Sequence, residues 1–262
     1  MNVLSCFDGI GCGLQAIKEL GWEIDNYFAF EIDENAIKIA NKNHPNIIQL
    51  GDIRKWKTHD LPKIDLILGG SPCQGFSKMG NQDGFEDPRS SLFFDFVEIV
   101  KYYDRSHFLF ENVNMKEEWL HLISYYLKIE GQPIDSALVS AQKRLRFYWH
   151  SFSCLTVPRD LGIQLQDVLE SGQALDTKSY CIDANYWKGG SLKNMMDTSR
   201  RTRIVENVDD VQISRLLTPK ECERLQTLPD DYTKSVPDKI RYQLIGNGWT
   251  VAVIKYLLSY YN

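Results

Sequence analysis

Residues 3 to 31 read Val3-Leu-Ser-Cys-Phe-Asp-Gly-Ile-Gly-Cys-Gly13-Leu-Gln-Ala-Ile-Lys-Glu-Leu20, then Gly21-Trp-Glu-Ile-Asp-Asn-Tyr27-Phe-Ala-Phe-Glu31. The apolar run Val3 to Phe7 predicts a strand, the glycines a turn, Leu14 to Leu20 a helix, and Tyr27 to Phe30 a second strand ending at Glu31. The same alternation continues outward. A helix is expected from about Glu34 to Asn43, short apolar runs at Ile47 to Leu50 and Ile64 to Leu68, a helix over Leu92 to Tyr103 and a strand at His107 to Phe110. Strands separated by helices pair in parallel through right-handed crossovers, with helices on both faces, so the fold class is α/β with a doubly wound, mostly parallel sheet. Ligands of such sheets bind beyond the carboxyl ends of the strands. Asp8, Glu31, Asp52, Cys73 and Glu111 all fall at or just after those predicted ends.

Composition narrows the class. The 262 residues, 43% hydrophobic and 25% charged, are enough for one large domain or one with a small appendage. No apolar stretch reaches membrane-span length and the N-terminus lacks the pattern of a cleaved leader, so an intracellular protein without a membrane partner is expected. The six cysteines form no Cys-x-x-Cys pair, which argues against a zinc knuckle or dithiol site and leaves no metal expected. A formal charge of −5 gives no global attraction to phosphates. Local attraction is available between Lys178 and Arg203, where six basic residues face two acidic ones. Such a stretch is either a polyanion contact or a solvated face.

Three places carry chemistry. The turn Phe7-Asp-Gly-Ile-Gly-Cys-Gly13 has glycines at alternate positions, suited to close backbone approach by a cofactor, but it is not the spaced Gly-x-Gly-x-x-Gly fingerprint. Glu31 is placed either to accept from a ribose diol or to complement a helix dipole. Asp52 either meets an adenine amino group or caps a turn. The third place is Gly69-Gly-Ser-Pro-Cys-Gln-Gly-Phe-Ser77, which sets Cys73 on a proline-stiffened turn after an apolar strand. Its thiol is either a displayed nucleophile or a small buried hydrophobe.

Nine blocks taken in order resemble the DNA cytosine-5 methyltransferases: Phe7-Asp-Gly-Ile-Gly11, Glu31, Gly51-Asp-Ile53, Gly70-Ser-Pro-Cys-Gln-Gly-Phe-Ser77, Gly84-Phe-Glu-Asp-Pro-Arg-Ser-Ser-Leu-Phe-Phe94, Phe110-Glu-Asn-Val113, Gln142-Lys-Arg-Leu-Arg146, Arg215-Leu-Leu-Thr-Pro-Lys-Glu221 and Gly246-Asn-Gly-Trp249. The compact layout, without a large insertion between Gln142 and Arg215, is similar to the catalytic domain of animal de novo methyltransferases. The resemblance implies the Rossmann-like fold of S-adenosylmethionine-dependent methyltransferases with a small target-recognition appendage. It divides the chain into a catalytic and cofactor-binding part at 1–154, a target-recognition segment at 155–210 and a C-terminal segment at 211–262 that returns to the catalytic domain.

The resemblance also implies roles. S-adenosylmethionine would be the methyl donor and S-adenosylhomocysteine the product, held by Phe7, Gly9, Gly11, Glu31, Ile32, Asp52, Ile53, Pro72 and Leu92, with Asn247, Gly248 and Trp249 completing the pocket. Ile53 and Leu92 read equally well as core residues. Cys73 would add to C6 of cytosine, Glu111 would hold the N3 and amino edge, and Arg144 and Arg146 would fix the extruded nucleotide and favour a thiolate. A base within a duplex must rotate out to meet these groups. The stretch Ser77 to Asp87 is the expected closing loop, with Ser77 or Gln82 near the vacated position, or else an ordinary loop. Lys193, Arg200, Arg201 and Arg203 would contact phosphates of double-stranded DNA. A companion restriction endonuclease fits the family, as does a cytoplasmic location if the source is a prokaryote or phage. Two other readings stand beside this one: a tRNA-methylating enzyme of the same family, disfavoured because Cys73-Gln-Gly-Phe-Ser77 departs from that branch's Cys-x-Pro-Phe-Thr, and a catalytically silent DNA-binding accessory protein on the same scaffold.

Overall fold

The computed structural model describes residues 1–72, 92–153, 156–190, 201–208 and 211–261. It comprises two compact units, Met1–Ile134 with Leu145–Thr156 and Leu257–Asn262, and Asp135–Arg144 with Val157–Tyr256.

The first unit is built from β1 (Asn2–Cys6), α1 (Cys12–Glu19), β2 (Asn26–Phe30), α2 (Glu34–Asn43), β3 (Ile47–Gln49), β4 (Leu66–Gly69), α3 (Leu92–Tyr102), β5 (His107–Val113), α4 (Glu117–Leu127), β6 (Gln132–Asp135) and β7 (Leu145–His150). The strands form one sheet in the order β3-β2-β1-β4-β5-β7-β6. Strand β1 is parallel to β2 and β4, β2 to β3, and β4 to β5, while β7 runs antiparallel to β5. This is the doubly wound, mostly parallel α/β sheet that the alternation of runs predicts. Local chemistry explains where the elements begin. Asp33 accepts from the amides of Asn35 (2.9 Å) and Ala36 (3.3 Å), capping α2 where the sequence places its start.

The core behind the sheet is aromatic. Phe93, Phe96, Phe110 and Trp149 are fully buried, and the rings of Phe96 and Phe110 sit 4.7 Å apart. Phe96 also decides the residue that ends β4, because a Cβ on Gly69 would lie 2.5 Å from its ring. Gly69 is therefore a packing requirement of the core.

One strand end needs correcting. The apolar run predicts that β5 stops at Phe110, but the ladder continues to Val113 because β7 supplies partners, with Glu111 opposite Tyr148 and Val113 opposite Arg146. Glu111 is consequently held inside a strand, with its rotamer and direction set by the pleat.

The second unit contains β8 (Gln173–Ala174), β9 (Ile204–Val208) and β10 (Val211–Arg215), antiparallel in the order β10-β9-β8. Helices α5 (Pro219–Leu225), α6 (Asp238–Asn247) and α7 (Val251–Leu258) follow, and the last two residues of α7 belong to the first unit. Thr218 and Glu221 form a capping box at α5, whose first helical residue is Pro219. Leu165, Ile182, Tyr186 and Ile204 share one core with Leu217, Cys222, Leu225, Ile245 and Ala141. Among the described residues no helix is long and apolar enough to cross a membrane.

Candidate active site

The glycine turn after β1 is laced to the end of β2. Glu31 Oε2 accepts from the Gly9 amide at 2.8 Å, and Oε1 accepts from the amides of Ile32 (2.7 Å) and Asp33 (2.9 Å). The Asp8 amide donates to the Phe30 carbonyl. Phe7, although not a glycine, has φ of 62° and lies in the left-handed region, a strained conformation of the kind that persists at functional turns. Gly9 has φ of 60°, and a Cβ there would meet nothing within 4 Å. The turn thus combines a backbone that favours glycine with open space above it. Because Asp33 caps α2 and Glu34 occupies its first turn, the dipole role weighed for Glu31 is filled by other residues.

The remaining residues expected around the donor have plainer surroundings. Asp52 caps the short 3-10 turn Ile53–Thr58 by accepting from the Arg54 amide at 3.0 Å and is ion-paired with the Arg54 side chain, which holds its carboxyl below the ordinary range. Ile53 is buried in the core cluster and Leu92 is partly buried against it. Pro72 is half-buried and Ile32 is exposed.

Asp8 is the residue whose importance the sequence did not reveal beyond its place after a strand. Its Oδ1 accepts from the Tyr27 hydroxyl at 2.7 Å, while Oδ2 is buried with no hydrogen-bond partner among the described residues. Burial pushes the carboxyl up to about 6, against the opposing effect of the Ser5 and Tyr27 hydroxyls and helped by the nearby charge of Glu31. A buried acceptor without a donor is costly unless something else supplies the donor.

A second cluster lies on β5 and β7. Glu111 and Arg146 sit diagonally across the antiparallel ladder and on the same face, since each is two residues from the other's partner. Arg146 Nε approaches Glu111 Oε1 to 3.2 Å, with the two side chains 15% and 11% exposed. The neighbouring Asn112 turns the other way and is buried, with Nδ2 3.3 Å from Ser71 Oγ. That contact anchors β5 to Ser71, two residues before Cys73 in the sequence. Cys73 itself, together with Ser77, Gln82, Lys193 and Arg200 and the expected closing loop, lies outside the described residues. Of the described cysteines, Cys6, Cys12 and Cys222 are buried and Cys181 is half-buried, and burial pushes the thiols of Cys6 and Cys222 up.

Arg144 is occupied differently. It is buried, and its guanidinium donates to the carbonyls of Ile182 (2.9 Å), Gly246 (3.1 Å) and Gly248 (2.8 Å) and to Cys181 Sγ (3.3 Å). In the same unit Gly246 admits a close backbone approach, for a Cβ there would lie 2.3 Å from the carbonyl carbon of Asp183. Gly248 offers its carbonyl to Arg144, Asn247 is exposed and Trp249 is half-buried. Of the residues expected to touch phosphates, Arg201 is committed to Asp183 at 2.9 Å and stands over the Tyr186 ring, and Arg203 is half-buried. Lys178 donates to the carbonyls of Ala137 and Ser140. Lys178 and Arg201, two of the six basic residues of that stretch, are therefore engaged within the protein.

Known proteins share this plan. The sequence pattern described as C-5 cytosine-specific DNA methylase matches residues 1–118 and 140–261. The type II methyltransferase M.DsaV of Dactylococcopsis salina is 29% identical over 97% of this chain and 84% of its own length. The type II methyltransferase M.NlaX of Neisseria lactamica is 27% identical over 97% of this chain and 94% of its own. Among solved structures, the Entamoeba histolytica methyltransferase EhMeth superposes with a TM-score of 0.76 over 99% of this chain and 97% of that one at 19% identity, a likeness of fold. With the family pattern covering nearly the whole chain, this protein belongs to the C-5 cytosine-specific DNA methylases and is an enzyme of that family.

Proposed function

We propose that the enzyme methylates cytosine at C5 in duplex DNA through a covalent adduct of Cys73, with Glu111 and Arg146 as its partners on the base. The observation that carries this reading is the Glu111–Arg146 pair at 3.2 Å, on the strand whose Asn112 meets Ser71, two residues before Cys73 in the sequence. Cytosine C5 is a weak nucleophile, so a thiolate adding to C6 is needed to place electron density there. Glu111 offers a carboxyl to the N3 and amino edge, where negative charge accumulates on addition. Arg146 orients that carboxyl and contributes positive potential. Arg144, with its donors on protein carbonyls, acts as a positioning residue that fixes the Gln142-Lys-Arg segment. After methylation the C5 proton leaves and the Cys73 thiolate is expelled, restoring both the aromatic ring and the enzyme.

The glycine turn fits S-adenosylmethionine, the donor class this family uses, which when bound supplies an electrophilic methyl group. Gly9 gives the backbone opening and Asp8 Oδ2 offers a buried acceptor to the ammonium of the donor's methionine part. Glu31, already fixed by three amides, presents its remaining lone pairs to the ribose diol. Residues 155–210 supply target recognition in this reading. A companion restriction endonuclease is consistent with the type II designation of the Dactylococcopsis and Neisseria relatives.

The test is direct. Duplex DNA carrying 5-fluorocytosine at the target should trap a denaturant-stable protein–DNA adduct, because fluorine cannot leave as a proton does. Cys73→Ser should form no adduct yet still bind the donor. An adduct with Cys73→Ser, or methyl transfer to adenine, would overturn the reading.

A further inference from the structure

The indole of Trp187 carries two lysine ammonium groups, Lys239 at 4.6 Å and Lys188 at 5.5 Å from the ring centroid. Trp187 and Lys188 belong to the 3-10 turn Tyr186–Gly190, and Lys239 to the first turn of α6, all in the second unit. One cation over an indole is a favourable arrangement. Two on the same ring lie within about a Debye length (~10 Å at 0.1 M salt) and repel one another. Asp238, next to Lys239 in the chain, pairs with Arg241 at 3.1 Å. Among the described residues Lys239 has no carboxylate within ion-pair distance, and both lysines are exposed. In a chain with a net charge of −5, one indole thus gathers two exposed ammonium groups.

From this we infer that Trp187, Lys188 and Lys239 form a phosphate clamp for the sugar–phosphate backbone of duplex DNA, with the lysines on phosphodiester oxygens and the indole against the deoxyribose. The inference rests on the DNA-methylating function above and assigns it a contact surface. The rise of α6 puts Lys239 about 12 Å from Asn247 at ~1.5 Å per residue, so the clamp is a site separate from the Gly246–Gly248 carbonyls that hold Arg144. Being a backbone contact, it adds affinity without reading sequence.

The experiment compares wild type, Lys239→Gln, Lys188→Gln/Lys239→Gln and the charge-preserving Lys239→Arg in binding a fluorescein-labelled cytosine-containing duplex from low to moderate salt. Each lost lysine should reduce the slope of log affinity against log salt by about 0.9. Lys239→Arg should keep the wild-type slope, and donor affinity, melting temperature and the identity of the methylated cytosine should stay unchanged in all. Trp187 fluorescence, isolated by subtracting a Trp187→Phe variant, should change on DNA addition. Wild-type DNA binding and methylation with an unchanged slope in the double variant would overturn the clamp alone. Absence of DNA methylation by wild type would overturn the function and the clamp together. A larger loss on an RNA duplex of the same sequence would overturn the assignment to DNA.

Discussion

Two buried charges stand at opposite ends of hydrogen-bond satisfaction. Arg144, in the second unit, has three carbonyls and a thiol around its guanidinium. Asp8, in the first, accepts from the Tyr27 hydroxyl on Oδ1, while Oδ2 has no hydrogen-bond partner among the described residues. A fully met buried charge is a brace, since its value lies in holding its partners together. A partly met one is costly to the folded protein and is retained where a ligand supplies what is missing. Between them lies Glu111, whose carboxylate meets Arg146 at 3.2 Å inside a strand. Each degree of satisfaction predicts a different response to substitution.

The largest effect is expected at Glu111. Glu111→Gln keeps size and a contact to Arg146 but removes the ionisable group from the base-binding edge. Methyl transfer should fall by roughly 10²–10⁴-fold, with donor affinity within about twofold, as read by single-turnover assays and calorimetry. A variant with near-normal turnover would move Glu111 from the chemistry to the scaffold.

At Arg144 the loss should appear first in stability. Lysine cannot direct a planar fork at Ile182, Gly246 and Gly248 together, so Arg144→Lys leaves buried carbonyls unmet and should cost about 2–4 kcal/mol, a fall of roughly 5–10 °C in melting temperature. If instead the variant melts normally and loses only DNA affinity, Arg144 is a substrate contact and the brace reading fails.

Asp8 should respond in the opposite sense. Its folded-state value of about 6 stands above the ordinary 3.8, so between those pH values the folded protein keeps a proton that the unfolded chain has released. The stability this contributes is present at low pH and lost as pH rises through about 6. Asp8→Asn, permanently neutral, should therefore be more stable than wild type at pH 8 by about 1–3 kcal/mol, the gain vanishing below about pH 4. Donor affinity should fall by about tenfold at pH 8. Chemical denaturation and donor titration across pH separate the two, and a variant less stable at pH 8 would show that the carboxylate is satisfied after all.

How far these differences could be read in the sequence depends on whether a residue's environment is local. The strand–helix alternation from Val3 to Phe110 was legible because each element has its own period and cap, as Asp33 before α2 shows. The glycine turn and Glu31 were legible as a site for the same reason. The end of β5 was not, because Glu111 to Val113 become strand only through pairing with β7, more than thirty residues later. Arg144 could be singled out but not its partners, which come from Ile182, Gly246 and Gly248. Residues 155–210 looked irregular because strands of two and five residues and 3-10 turns leave no periodicity, and their core partners lie as far away as Ala141 and Ile245. Asp8 was visible only as an acid after a strand. Its orphan oxygen is a fact of packing.

The smallest predicted effect isolates the hydrogen bond from Tyr27 to Asp8. The Tyr27 hydroxyl donates to Oδ1 at 2.7 Å and pulls the carboxyl down from where burial alone would set it. Tyr27→Phe removes that donor while keeping the ring in place in the sheet. With less support for its charge, Asp8 should ionise later, and a hydrogen bond to a charged group is worth about 1.5–3 kcal/mol, or roughly one pH unit allowing for partial compensation. Donor affinity measured against pH should then rise through a midpoint near 7 instead of about 6, and above pH 8 the two proteins should bind the donor within twofold. Calorimetric titrations from pH 5.5 to 8.5 read the midpoint directly. An unshifted midpoint would mean that the group titrating in the donor site is not Asp8, and the partly met charge would then have to be explained by the fold alone.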